Sequence, residues 1–167
     1  MHIEELKKIL LEKDLVKLKN ALENYQINEC DKFGNTILHY YLKTKKNEDI
    51  PVESIIELFI EKGININQKQ KDKQFGFSPL HLSVNIKNLE AFNYLIERGA
   101  DINAQDVNGN TVLSSAVFNY NRDIDIYGEM ITKLIDKGAN INLKNNHNVS
   151  AHSLANSMVS DVKKFFR

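Results

Sequence analysis

Two histidines are the residues whose type and spacing could support chemistry. His39 and His81 occupy the same place in two similar segments, "NTILHYY" and "FSPLHLS". An imidazole can act as an acid, a base or a metal ligand. Zinc, however, takes four ligands grouped in pairs, and neither histidine has a Cys or a second His at such a spacing. The glycines are spread along the chain and form no phosphate-binding loop. We therefore expect neither a metal site nor a cofactor.

Cysteine and carboxylate chemistry also finds little support. Cys30 is the single cysteine, so an internal disulfide is excluded, and no base is matched to it nearby in sequence. The acidic pairs Glu48/Asp49 and Asp123/Asp125 stand in polar segments. Solvated loops explain these pairs more simply than an acid/base pair does. We predict that the protein is not an enzyme.

Composition excludes several classes of partner. The chain has 167 residues, enough for one domain with a core, and its 22 basic residues balance its 22 acidic residues. Zero net charge gives no reason to expect nucleic acid or an anionic membrane surface as partner. No apolar run reaches the roughly 18 residues of a membrane span, and the first residues carry no apolar leader. We expect an intracellular, cytoplasmic protein.

Two short turn signals recur along the chain. The first is "KGININ" at 62–67, "RGADIN" at 98–103 and "KGANIN" at 137–142. The second places Gly34, Gly76, Gly109 and Asn148 at intervals of 42, 33 and 39 residues. Six extra residues in two copies, around "KKNEDI" and "NRDIDI", and three more in "KQKDKQ" account for every departure from 33. The two six-residue insertions are interpreted as tolerant segments between helices, and their role stays open. A fixed period of this length indicates a stacked repeat architecture.

With these two signatures the chain resembles the ankyrin-repeat family. The family's Gly-x-Thr-Pro-Leu-His-x-Ala signature runs through His81 in "GFSPLHLS" and is partly present in "GNTILHYY" and "GNTVLSSA". The resemblance implies an all-α ankyrin-repeat solenoid of about ten helices, built of helix-turn-helix units joined by short β-hairpin loops. It also implies that His39 and His81 hydrogen-bond neighbouring loops. We expect one domain over 1–167, divided into an N-terminal cap (1–30), repeats at 31–72, 73–105 and 106–144, and a C-terminal cap (145–167).

The same resemblance indicates where a partner would bind. In this family the hairpin tips and the first helices form a concave binding surface. Aromatic residues occupy hairpin tips where polar residues are usual, and exposed aromatics often mark interaction surfaces. Alternatively, Phe33 and Phe75 simply stack on each other between neighbouring hairpins. The candidate partner-binding residues are Phe33, Asn35, Phe75, Phe77, Asn85, Phe118 and Tyr120.

The function expected from this sequence is that of a non-catalytic protein–protein interaction module. Repeats cover nearly the whole chain and leave no room for a separate catalytic domain. The alternative is a dedicated inhibitor or immunity-type protein that blocks one specific enzyme or toxin. We expect a protein partner, neither nucleic acid nor membrane, and a monomer in the absence of that partner.

Overall fold

The computed structural model describes residues 1–44, 50–71 and 75–166, and over these ranges the chain is helical with no sheet. Within these ranges Gln105 and Thr111 form one isolated antiparallel β-bridge. The α-helices are α1 (Ile3–Leu11), α2 (Leu15–Leu22), α3 (Ile37–Lys43), α4 (Val52–Glu61), α5 (Pro79–Asn85), α6 (Leu89–Glu97), α7 (Val112–Asn119), α8 (Ile124–Asp136) and α9 (Ala151–Ser157). Two 3-10 helices span Tyr120–Arg122 and Asp161–Phe166. The all-α solenoid expected from the sequence is confirmed.

Local sequence fixes where each first helix begins. The hydroxyl of Ser78 accepts a hydrogen bond from the backbone N–H of His81 (3.3 Å), and Thr111 does the same for Ser114 (3.0 Å). Such side chains satisfy N–H groups that have no partner within the helix. Pro79 occupies the first turn of α5, where its missing N–H costs nothing. The hairpin that precedes each helix is thereby held close to the helix start.

The helices stack in two layers. The first helices of successive units, α1, α3, α5, α7 and α9, pack side by side, and so do the second helices α4, α6 and α8. The core lies between the layers and includes the fully buried rings of Phe59 and Phe92. One helix pair leaves an apolar face uncovered, so each unit depends on its neighbour for stability.

The insertion "NRDIDI" (121–126) is helical, so its interpretation as a loop between helices is wrong. Residues 121–122 belong to the 3-10 helix Tyr120–Arg122, and residues 124–126 are the first residues of α8. With them α8 has 13 residues, whereas α6 has 9. Asp123 caps α8 by accepting from the backbone N–H of Ile126 (3.0 Å) and pairs with Lys87 (Nζ to Oδ2, 2.5 Å). The acidic side chain thus has a structural role. Residues 45–49 of the other insertion lie outside the described residues, as do Glu48 and Asp49.

Candidate partner-binding face

Backbone hydrogen bonds join each hairpin tip to the next. The carbonyl of Phe33 accepts from the N–H of Lys71 (2.7 Å), and the carbonyl of Phe75 accepts from the N–H of Val107 (3.0 Å). The third link runs from the N–H of Asn146 to the carbonyl of Asn108 (2.9 Å). These bonds set the tips in a continuous row, so residues at the tips of successive units share one side of the molecule.

An aspartate holds the first and the third hairpin tips in shape. The Oδ1 of Asp31 accepts from the backbone N–H groups of Phe33 and Asn35, each at 2.9 Å, and the Tyr40 hydroxyl donates to its Oδ2 (2.5 Å). Burial alone would raise the pKa of Asp31, but these hydrogen bonds outweigh burial and hold it below its usual range. In the third hairpin Asp106 accepts from the N–H groups of residues 108 and 110, each at 2.8 Å. Both carboxylates therefore face their own loop.

The two signature histidines tie one unit to the next hairpin. His39 Nε2 lies 3.3 Å from the carbonyl oxygen of Phe77, and His81 Nε2 lies 3.1 Å from that of Asn110. A carbonyl only accepts, so Nε2 carries the proton in each ring and Nδ1 is free to accept from the preceding hydroxyl. Burial lowers the pKa of both histidines to about 4, which keeps them neutral. The linking role implied by the resemblance is confirmed by these contacts.

The turns at the far ends of the second helices are joined differently. There a single asparagine side chain reaches the next turn: the Oδ1 of Asn103 accepts from the backbone N–H of Asn140 (2.8 Å). Asn67 accepts from Asp101 in the same way (2.9 Å). Asn28 Oδ1 accepts the corresponding bond one unit earlier, from the backbone N–H of Asn65 (2.6 Å). Side chains, rather than adjacent backbones, therefore connect this side of the stack.

Three aromatic side chains are exposed on the hairpin side. Phe33, Phe75 and Phe118 have 52%, 44% and 63% of their surface accessible. Phe77 is partly buried; its ring stacks on Phe75 (centroids 5.0 Å apart) and on His81 (5.9 Å). Within the described residues, no ring contact joins Phe33 to Phe75, so the simple stacking alternative finds no support there. We call the surface formed by Phe33, Phe75, Phe77, Asn85 and Phe118 the hairpin face.

Two predicted surface residues are buried, and their assignment to the surface is wrong. Tyr120 is fully buried against the 3-10 helix Asp161–Phe166, where its hydroxyl donates to Asp161 Oδ1 (3.0 Å) and its ring meets Phe165 edge-on. Asn35 is 7% exposed; its amide nitrogen donates to Asp31, and its Oδ1 accepts from Gln70 Nε2 (2.6 Å). Both side chains hold the fold together.

Asn85 differs from these two residues because it is exposed at the end of α5. Its amide nitrogen donates to the carbonyl of His81 (2.9 Å), which leaves its Oδ1 directed away from that bond. Asn85 therefore remains a surface residue of the hairpin face.

Four lysines of this face were missed by sequence reasoning. Lys32 Nζ lies 5.0 Å from the centroid of the Phe33 ring, and the Lys71 side chain packs over Gly34. Lys69 and Lys43 lie close enough to His81 and His39, respectively, to oppose their protonation. All four side chains are exposed. The balanced total charge of the chain hides these lysines. The sequence signal that could have revealed them is their position beside the repeated aromatic and histidine positions.

The remaining candidate for chemistry is Cys30. Its Sγ lies 3.5 Å from the carbonyl of Asn28, and burial raises the pKa of the thiol. A raised pKa keeps the side chain as the weakly nucleophilic thiol. Across the described ranges 1–44, 50–71 and 75–166, no three His, Cys, Asp or Glu side chains cluster as metal ligands would. No helix in those ranges is long and apolar enough to cross a bilayer.

Comparison with known proteins places this architecture in a family. The profile for ankyrin repeats in three copies matches residues 5–106 and again 52–145. An ankyrin repeat protein of Rickettsia felis is 36% identical over 105 residues, which cover 59% of this chain and 43% of that protein. Two fowlpox virus ankyrin repeat proteins are 36% and 26% identical, covering 62% and 93% of this chain but 50% and 33% of their own lengths. The chain thus spans half or less of the length of these relatives. The repeats, their hairpins and these matches together show that the chain belongs to the ankyrin-repeat family.

Proposed function

We propose that this chain is a non-catalytic module that binds a partner protein through its hairpin face. Ankyrin repeats generally mediate protein–protein interaction. The observation that carries the proposal is the exposure of Phe33, Phe75 and Phe118 on the side where backbone bonds align the tips. We also propose the five-unit division given above for 1–167 and a monomeric state in the absence of the partner.

The physical case rests on what these rings would gain on binding. An exposed phenyl ring is worth roughly 1.5–3 kcal/mol when it is moved from water into an apolar contact. Aromatic side chains near the centre of an interface tend to dominate its energy. Phe75 already stacks on Phe77, and Phe77 stacks in turn on the buried His81. This stack restricts their rotamers before binding, so less side-chain entropy is lost when a partner covers them.

A face of this kind also supplies polar groups that can orient a partner. Asn85 presents an amide oxygen beside Phe118 in the equivalent position of the next first helix. The histidines, in contrast, already use both ring nitrogens within the fold. We therefore assign His39 and His81 a structural role and the exposed aromatic and amide groups the binding role.

The test compares two matched double variants in affinity purification from the native source. Phe75→Ser with Phe118→Ser removes two exposed rings from the hairpin face. Val16→Ser with Ile124→Ser removes two side chains that are 69% and 54% exposed on second helices. The Val16→Ser/Ile124→Ser double variant (the second-helix variant) should retain the same proteins as the unmodified chain. The amount of each protein retained by the Phe75→Ser/Phe118→Ser double variant (the hairpin-face variant) should fall at least about tenfold.

Circular dichroism at matched concentration controls for folding in both variants. Phe77 is left unchanged because its partly buried ring supports His81. Equal retention by a folded hairpin-face variant would show that the partner uses another surface. Loss on the second-helix variant alone would assign binding to the opposite layer.

A further inference from the structure

We propose that the segment of the partner that docks on the hairpin face is acidic and carries apolar side chains between its carboxylates. This inference rests on the proposed function and adds the chemistry of the bound segment. It follows from how the hairpin face separates its charges: lysines stand outward beside exposed rings, while Asp31 and Asp106 are turned into their own loops. An overall charge of zero conceals this local separation.

The lysines surround the aromatic groups of the first two hairpins. Lys32 and Lys71 lie beside Phe33, one over its ring and the other joined to its carbonyl. Lys69 precedes Gln70, whose backbone N–H donates to the carbonyl of Phe77 (3.0 Å). All three ammonium groups belong to exposed side chains within one or two residues of this hydrogen-bonded row.

Lys43 extends the same pattern along α3. It is exposed in the last turn of that helix, and its charge adds to the effect of burial in lowering the pKa of His39. Its place in α3 corresponds to that of Asn85 in α5 and Phe118 in α7 when the three caps Thr36, Ser78 and Thr111 are aligned. The basic groups therefore reach from the tips onto the first helices.

The hydrogen-bonding capacity of the described hairpin aspartates is used within their own loops. Asp31 accepts hydrogen bonds from two backbone N–H groups, the Asn35 amide and the Tyr40 hydroxyl. Asp106 accepts from two backbone N–H groups and from the Asn110 amide. A carboxylate so fully engaged offers little to an incoming ligand. In the described part of the first two hairpins, the exposed side chains of Lys32, Lys69 and Lys71 outnumber the one engaged carboxylate, Asp31, so the outward potential there is positive.

A positive potential around exposed rings selects a ligand with two kinds of group. Carboxylates on the partner would pair with the lysines and speed up the encounter, an effect that added salt screens. Apolar side chains between them would cover the phenyl rings and supply most of the affinity. A basic segment of equal hydrophobicity would meet like charges, so the face discriminates by sign.

The experiment selects from an unbiased library of short random peptides displayed on phage. The baits are the unmodified chain, the Phe75→Ser/Phe118→Ser variant and a Lys32→Glu/Lys69→Glu variant. A Lys133→Glu/Lys137→Glu variant, altered at the end of α8, serves as the matched charge control. The unmodified chain and the charge control are expected to enrich peptides rich in Asp and Glu that also contain Phe, Leu or Trp.

The recovered peptides are then synthesised, and their affinities are measured by fluorescence anisotropy. Binding should weaken at least about tenfold in the Lys32→Glu/Lys69→Glu variant and remain within about twofold in the charge control. It should also weaken as salt rises from about 0.05 to about 0.5 M, because screening acts on exposed pairs.

The outcomes separate this inference from the proposed function. Enriched peptides that are neutral or basic, but that depend on Phe75 and Phe118, would overturn the acidic assignment and leave the binding face in place. Peptides that bind the Phe75→Ser/Phe118→Ser variant as well as the unmodified chain would overturn the binding face itself. If the unmodified chain enriches no peptide relative to the Phe75→Ser/Phe118→Ser variant, both the acidic assignment and the binding face are contradicted.

Discussion

The two kinds of turn in this protein use glycine for different reasons. At the hairpin tip Gly109 has a φ of +78°, and a Cβ there would lie 2.8 Å from Asn146 Oδ1 and 2.9 Å from Asn146 N. At the end of α6 Gly99 has a φ of +83°, and a Cβ there would meet nothing within 4 Å. Both positions need a left-handed backbone, but only the tip also needs the space.

This difference shows which side of the stack is tightly built. Hairpin tips approach one another backbone to backbone and are linked by the two buried histidines. The turns at the ends of the second helices stand further apart and are bridged by asparagine side chains. Because the tips are closely spaced and hydrogen-bonded to one another, they hold the exposed aromatic side chains on a rigid backbone. The two predictions that follow test this contrast, beginning with the larger effect.

Acid should weaken the histidine hydrogen bonds on the hairpin side and leave the asparagine hydrogen bonds at the opposite turns unchanged. Burial lowers the pKa of His39 and His81 from 6.5 to about 4, so between these values the unfolded chain binds more protons than the folded chain. The free energy of unfolding should therefore fall as pH drops from about 6.5 to about 4, by about 3 kcal/mol for each histidine. Above about pH 6.5 this contribution is fully present and constant. Urea unfolding across this pH range measures the effect.

The matched control for the acid effect is His81→Asn. This variant should be less stable at neutral pH and should lose about half of the pH dependence, because His39 is then the one remaining histidine of the pair with a lowered pKa. The carboxylates with lowered pKa, Asp31 among them, change stability below about pH 5, so the slope between about pH 5 and about pH 6.5 reports the histidines. An unchanged slope in His81→Asn would contradict the assignment of the acid effect to the histidine links.

Alanine at the two glycines should separate strain from steric overlap. Gly99→Ala should lower the free energy of unfolding by about 1 kcal/mol, the cost of a left-handed alanine. Gly109→Ala should lower it by about 3 kcal/mol, because the backbone and side chain of Asn146 must also move. Both values come from urea unfolding at neutral pH. Equal losses in the two variants would show that the tips are not tightly spaced.

The repeat period and the tip positions could be predicted because they depend on local backbone needs. Asn148, assigned to the fourth glycine slot, adopts a φ of +65° as that assignment requires. Tyr120 was misassigned because its burial depends on Asp161, which is 41 residues away in sequence. Asn35 was misassigned for a related reason: its partner Gln70 lies in the next hairpin.

Charge placement was the other feature beyond reach of the sequence. The 22 basic and 22 acidic residues cancel in total, while the outward direction of Lys32 and the inward direction of Asp31 depend on the hairpin geometry. The insertion at 121–126 shows a third limit. Its polar composition suggested a loop, but Asp123 supplied a cap for α8 and Ile126 packs against the core.

Hydrogen–deuterium exchange tests most directly the claim that the hairpin face is the binding surface. The exchange of the unmodified chain is compared with and without the tightest peptide from the selection. Binding is predicted to slow exchange in segments 31–35, 75–86 and 106–118, which hold the tips and first helices. Segments 89–97 and 124–136, in the second helices, should exchange at unchanged rates. Protection confined to the second helices, with the tips unaffected, would contradict the account.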